Sequence, residues 1–174
     1  MNKLKSLALA SVMCLLAFSA ANAEKVYSAS SGDWGITGHQ KGSDMSCVIS
    51  TSWKDGSRIN LNIFPRRNGD QYTTLTVLNP RWNLPKTAIG QTLNLKISFF
   101  GNGFEELDAD FQVYKKNAVI LRGLSKAFDK LFKNNSLMIL FTGMKEELKV
   151  GLKGTKEIGY YLTDCIKTVK STTY

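Results

Sequence analysis

A chain of 174 residues, 43% hydrophobic and 21% charged, has apolar side chains enough for one packed domain, which excludes a disordered chain and any need for a structural metal. Its formal net charge of +9 suits anionic partners, but the basic residues are dispersed and form no nucleic-acid arm, so no nucleic acid is expected as partner. A single histidine excludes His-rich metal sites, and no metal or other cofactor is expected.

The chain opens with a basic pair, Lys3 and Lys5, an apolar stretch from Leu7 to about Phe18, and the small-residue signature Ala21-Asn22-Ala23. That order predicts a cleavable signal peptide over 1–23, since the apolar stretch is too short to span a bilayer. Residues 24–174 are then a single exported domain, periplasmic or secreted, with no transmembrane segment. Cys14 leaves with the signal, and Ser11-Val12-Met13 before it argues against a lipid anchor. Loss of Lys3 and Lys5 leaves 21 basic against 14 acidic residues, about +7. An envelope or secreted protein is the expected partner, and an anionic envelope surface is a second candidate.

From Asp33 to Phe99 the apolar period is two. Ile59, Leu61 and Ile63 alternate with Arg58, Asn60 and Asn62, and Leu75 and Val77 alternate with Thr74 and Thr76. Leu93, Leu95, Ile97 and Phe99 do the same with Thr92, Asn94, Lys96 and Ser98. Such alternation buries one face of each strand, as in an antiparallel sheet. The pairs Asp55-Gly56 and Asn68-Gly69 mark hairpin turns, and Gly101-Asn102-Gly103 marks another turn. The segment 79–90 holds Pro80, Pro85 and Trp82 without periodicity, and predicts an ordered loop across one end of the sheet.

The last 65 residues contain a degenerate repeat at an offset of 31. Val119-Ile120-Leu121-Arg122-Gly123 leads into Leu124, Ala127, Phe128, Leu131 and Phe132. Val150-Gly151-Leu152-Lys153-Gly154 leads into Ile158, Tyr161, Leu162, Cys165, Ile166 and Val169. Each is a strand, a glycine turn and an amphipathic helix, preceded by an apolar run that supplies a hairpin partner. The expected fold is therefore α+β: an antiparallel meander of eight or nine strands in all, followed by two ββα units whose helices pack on the sheet.

Cys47 and Cys165 remain in the exported chain, an even pair in an oxidising compartment, and predict a disulfide. Cys47 shares a strand face with Met45 and Ile49, and Cys165 lies on the apolar face of the last helix. The bridge closes a loop of about 118 residues, for which chain entropy gives about 4–5 kcal/mol at the upper end.

Residues with catalytic chemistry are few. A Cys47–His39 nucleophile pair requires Cys47 as a free thiolate, against the disulfide. Glu105, Glu106, Asp108 and Asp110 offer carboxylates, but alternation places Glu106, Asp108 and Asp110 on a solvated strand face. Binding candidates are stronger: Arg81 and Trp82, the best exposed pair, in the proline-flanked loop, with Arg66 and Arg67 in a turn, because arginine and tryptophan combine contact area with directed polar contact. Trp34 and Trp53 lie near strand patterns and are expected in the core.

Gly32-Asp33-Trp34, then Ser46-Cys47-Val48-Ile49-Ser50 and a strand pair, all behind a signal peptide, resemble the opening of the invasion-associated locus B proteins. These are small exported β-rich bacterial proteins. Val119-Ile120-Leu121-Arg122-Gly123-Leu124-Ser125-Lys126-Ala127-Phe128 resembles the strand–Gly–helix that closes that family. The match runs in pieces over about residues 30–133. The chain departs from the family in lacking the extra cysteines of its middle and in adding the second ββα unit that ends at Cys165. The resemblance implies a β-rich envelope-associated domain with a role in host-cell interaction, and it carries no catalytic residue over. The expected function is a non-enzymatic exported binding protein. An inhibitor or immunity protein against an envelope-targeting toxin or hydrolase is the alternative, and an envelope hydrolase the second.

Overall fold

The computed structural model describes residues 23–66, 71–100, 104–122, 132–134, 136–141 and 147–171. Ten strands among them form one antiparallel sheet: β1 (Glu24–Ser31), β2 (Trp34–Lys41), β3 (Asp44–Ser52), β4 (Arg58–Pro65), β5 (Gln71–Leu78), β6 (Thr92–Phe100), β7 (Phe104–Lys115), β8 (Ala118–Arg122), β9 (Ser136–Phe141) and β10 (Glu147–Gly151). A helix, α1 (Thr155–Ser171), follows β10. The α+β class is as expected, with one strand more than the higher expected count.

That additional strand is β1, which period-two reading misses. A register shift between Lys25 and Tyr27 in its pairing with β2 breaks the alternation that would reveal it.

Sheet order is β1-β2-β3-β4-β5-β8-β7-β6-β9-β10, which departs from a continuous meander. β5 pairs with β8 rather than β6. The loop 79–91 therefore carries the chain past two strands before β6 begins. Both expected hairpins of the repeat are present, β7 with β8 and β9 with β10, and β6 lies between them, paired to β7 and β9. The first expected helix, 124–132, and its Gly123 lie outside the described residues apart from Phe132, which sits in a turn.

Alternation places one apolar row across five strands. Ile36, Ile49, Leu61, Leu75 and Leu121 are successive cross-strand partners from β2 to β8, all buried. The margins of the sheet also approach each other. Trp34 at the start of β2 donates its indole N–H to the Gly151 carbonyl at the end of β10, at 3.3 Å. The sheet thus curls around a single core that includes α1.

The turn from β10 into α1 uses Gly154 at φ +92°, where a Cβ would strike the Ser31 carbonyl. α1 then lays Ile158, Leu162, Cys165 and Val169 on β1–β3, with Glu157 in its first turn and Lys170 in its last, both favourable to the helix dipole. Cys165 and Cys47 are joined in a disulfide at a Cα–Cα distance of 6.2 Å. No helix among the described residues is long and apolar enough to cross a membrane.

Candidate functional site

The two ends of the curled sheet differ. At one end the loop 79–91 is fastened by Asn79 N–H to Asn117 O, Leu84 N–H to Lys116 O and Gly90 N–H to Val113 O, at 3.0, 2.7 and 2.9 Å. Those bonds drive Trp82 and Leu84 inward, where they complete the core. The expectation of an exposed Arg81-Trp82 pair is corrected here: Trp82 is 1% exposed and its ring is a plug, not a contact surface. The physical reason is the indole's large apolar area, which the loop buries because strand pairing leaves that end of the core uncovered. Trp34 is buried as expected, and Trp53 packs against the core.

Arg81 remains exposed, but it has a structural partner. Its guanidinium lies 3.3 Å from Asp55 Oδ2 in the β3–β4 turn. The backbone N–H of Ser57 bonds Asp55 Oδ1 at 2.9 Å, and this bond, more than the neighbouring Arg81, holds the Asp55 carboxyl below its usual range. Loop and turn thereby meet at the surface through an exposed ion pair.

The opposite end carries an open groove. The β2–β3 turn and the end of β4 enclose a depression of about 530 Å³ lined by Ser43, Asp44, Met45, Phe64, Pro65 and Arg66. A smaller recess of about 130 Å³ adjoins it, sharing Asp44, Met45 and Phe64 and reaching His39, Lys41 and Ser46, with one wall supplied by Ala23, the last residue of the expected signal. Of the four binding candidates read from the sequence, only Arg66 lies in this groove. Arg81 and Trp82 sit at the far end, and Arg67 lies outside the described residues.

Phe64 is the residue that sequence reasoning missed. In β4, odd positions point inward and even ones outward, and the outward series Arg58, Asn60, Asn62 is polar. Phe64 continues that series and is 39% exposed. An aromatic ring on the solvent side of an otherwise regular alternation was the available signal. Phe64 faces Tyr72 across the β4–β5 ladder, with ring centroids 6.0 Å apart and tilted by 36°. Arg122 donates to the Tyr72 hydroxyl at 3.4 Å, so a cation borders the aromatic pair. Pro65 closes β4, where its missing N–H breaks no central ladder bond.

His39 points outward on β2 and its Nε2 lies 3.0 Å from Thr37 Oγ1, although Ser46 is its cross-strand partner. Cys47 points inward with its sulfur bonded to Cys165. The Cys47–His39 nucleophile pair is therefore not assembled. On β7, Glu106 accepts from Lys96 at 2.7 Å and Asp110 from Asn94 at 3.2 Å, as a solvated strand face requires. Among the described residues no cluster of three or more His, Cys, Asp or Glu side chains is placed to hold a metal ion. What the groove offers is apolar contact from Met45, Phe64 and Pro65, the guanidinium of Arg66 and the carboxylate of Asp44.

No family model matches the sequence, and no curated protein matches it significantly. The fold is similar to the crystal structure of invasion associated protein B from Bartonella henselae, with a TM-score of 0.54 and 12% identity. That similarity covers 81% of this chain and 97% of the other, and at such identity it concerns the fold.

Proposed function

We propose that this chain is an exported, non-enzymatic binding protein that acts through a protein partner in the cell envelope or outside the cell. The observation that carries this reading is the groove at the open end, lined by the exposed Phe64 ring and by Arg66, with Tyr72 and Arg122 extending the aromatic and cationic surface beside Phe64. Aromatic and arginine side chains around a recess are the usual anchors of a protein interface. Support for export comes from the signal-like sequence of residues 1–23 and from the disulfide, a bond typical of oxidising compartments and rare in reducing ones. The fold similarity to a protein whose name records an association with invasion adds support for an outward-facing role.

A photo-crosslinking amino acid at position 64, in cells that make the protein, tests the proposal. A discrete protein adduct is expected from position 64 and not from position 81 at the plugged end. Absence of any adduct at position 64, or equal adducts at both positions, would overturn it. An enzyme recovered in the adduct would assign the binding to inhibition.

A further inference from the structure

We infer that the plugged end of the curled sheet docks on an anionic phospholipid surface, with the groove at the opposite end turned away from the membrane. Two observations carry the inference: the charge gathered at the plugged end, and the apolar side chains that stand among the cations.

The β3–β4 turn, the loop 79–91 and the β7–β8 turn meet at this end. Backbone bonds fasten the loop to residues 113–117, and a Cβ at Gly56 would lie 3.1 Å from Pro80 Cγ. Basic residues far apart in the sequence are thereby brought to one end. Lys54, Arg81, Lys86, Lys115 and Lys116 are exposed there, against one carboxylate, Asp55. Asp55 is already engaged by Arg81, and among the described residues no ion pair engages the four lysines. The three segments hold +4 of the roughly +7 carried by the exported chain. Two large apolar side chains project beside these charges. Ile89 precedes Gly90, whose N–H bonds the Val113 carbonyl at 2.9 Å, and Tyr114 follows Val113. Ile89 is 49% exposed and Tyr114 53%. Lys115 Nζ lies 5.1 Å from the centre of the Tyr114 ring, so cation and ring are presented together.

A phospholipid surface fits this composition better than a protein does. Tyrosine settles at the headgroup level, and lysine lays its stem on apolar surface while its ammonium stays in the polar layer. Protein interfaces are depleted in lysine and enriched in arginine, yet four of the five cations here are lysines. Lysines near an anionic leaflet add attraction without requiring a partner of fixed geometry.

Co-sedimentation of the mature protein with large vesicles tests the inference. Binding is expected to phosphatidylcholine vesicles that contain phosphatidylglycerol, not to phosphatidylcholine alone, and it should fall as salt rises. Lys115→Gln with Lys116→Gln should weaken it about tenfold or more. Lys41→Gln with Arg66→Gln removes the same charge from exposed positions at the open end and should leave binding nearly unchanged. Tyr114→Ser should weaken binding with no change of charge. All these side chains are exposed, and thermal melts check that the variants remain folded. Absence of binding, equal binding to phosphatidylcholine alone, or an equal loss from the open-end pair would overturn the inference. So would tighter binding to soluble polyglutamate than to the vesicles, which would assign the plugged end to an acidic protein. The crosslink at position 64 probes the other end, so its outcome is independent of this one.

Discussion

Gly38 on β2 lies directly across the ladder from Cys47 on β3, and its lack of a side chain gives the disulfide its room. A Cβ at Gly38 would come within 2.8 Å of Tyr27 Cβ, 2.9 Å of Val169 Cγ1 and 3.0 Å of Cys165 Sγ. Strand, helix and disulfide therefore converge on a space that only glycine leaves open. Gly38→Ala should destabilise the protein by about 1–3 kcal/mol, the usual cost of overpacking a close-packed site. Urea unfolding with the disulfide intact measures this, and an unchanged midpoint would show that α1 shifts at no cost.

Replacing both cysteines, Cys47→Ala with Cys165→Ala, removes a link across 118 residues of chain. Loop-closure entropy sets an upper expectation of about 4–5 kcal/mol, and native disulfides commonly contribute about 2–5. The loss should appear first in α1, because the bridge joins that helix to the sheet. Amide hydrogen exchange across residues 155–171 should accelerate before exchange in β3–β5 does.

Arg81 and Trp82 are neighbours with opposite roles, and substitution should separate them. Trp82→Ala empties a fully buried site, with an expected loss of about 3–5 kcal/mol. Arg81→Ala removes an exposed ion pair and should leave the unfolding midpoint almost unchanged. A similar loss from both would mean that Arg81 supports the loop through more than its contact with Asp55.

The Asp55 carboxyl gives a pH prediction. Its pKa is lowered, first by the Ser57 backbone N–H and only lesser in order by Arg81. A depressed carboxylate pKa favours the folded state above the ordinary carboxylate range, and that contribution disappears as pH falls through the lowered value. In an NMR titration, Arg81→Ala should leave Asp55 titrating still below an ordinary aspartate. Full return to the ordinary range in that variant would give the guanidinium the leading part.

Much of the local structure was legible in the residues. Alternation at 59–63, 74–77 and 92–99 marked β4, β5 and β6, because a half-buried strand must segregate its faces. Helical spacing at Ile158, Leu162, Cys165 and Val169 identified the buried face of α1 and placed Cys165 on it. β1 escaped because its register shift breaks the same rule. Trp82 was misplaced because exposure of a loop residue depends on what the loop covers, and nothing local records that. The groove was visible only through Arg66; its exposed ring, Phe64, went unread, because the alternation of Ile59, Leu61 and Ile63 draws attention to the buried face.

By itself the sequence determined the strands after β1, the helix α1, the buried faces of these elements and the pairing of Cys47 with Cys165, since periodicity and cysteine count are local or countable properties. Only the tertiary structure decided that β8 lies beside β5, that Trp34 meets Gly151 across the curled sheet, and that one end is plugged while the other is open. Those outcomes depend on contacts between residues far apart in the chain. Their energies are set by which surfaces remain uncovered once strands have paired, a quantity that exists only in three dimensions.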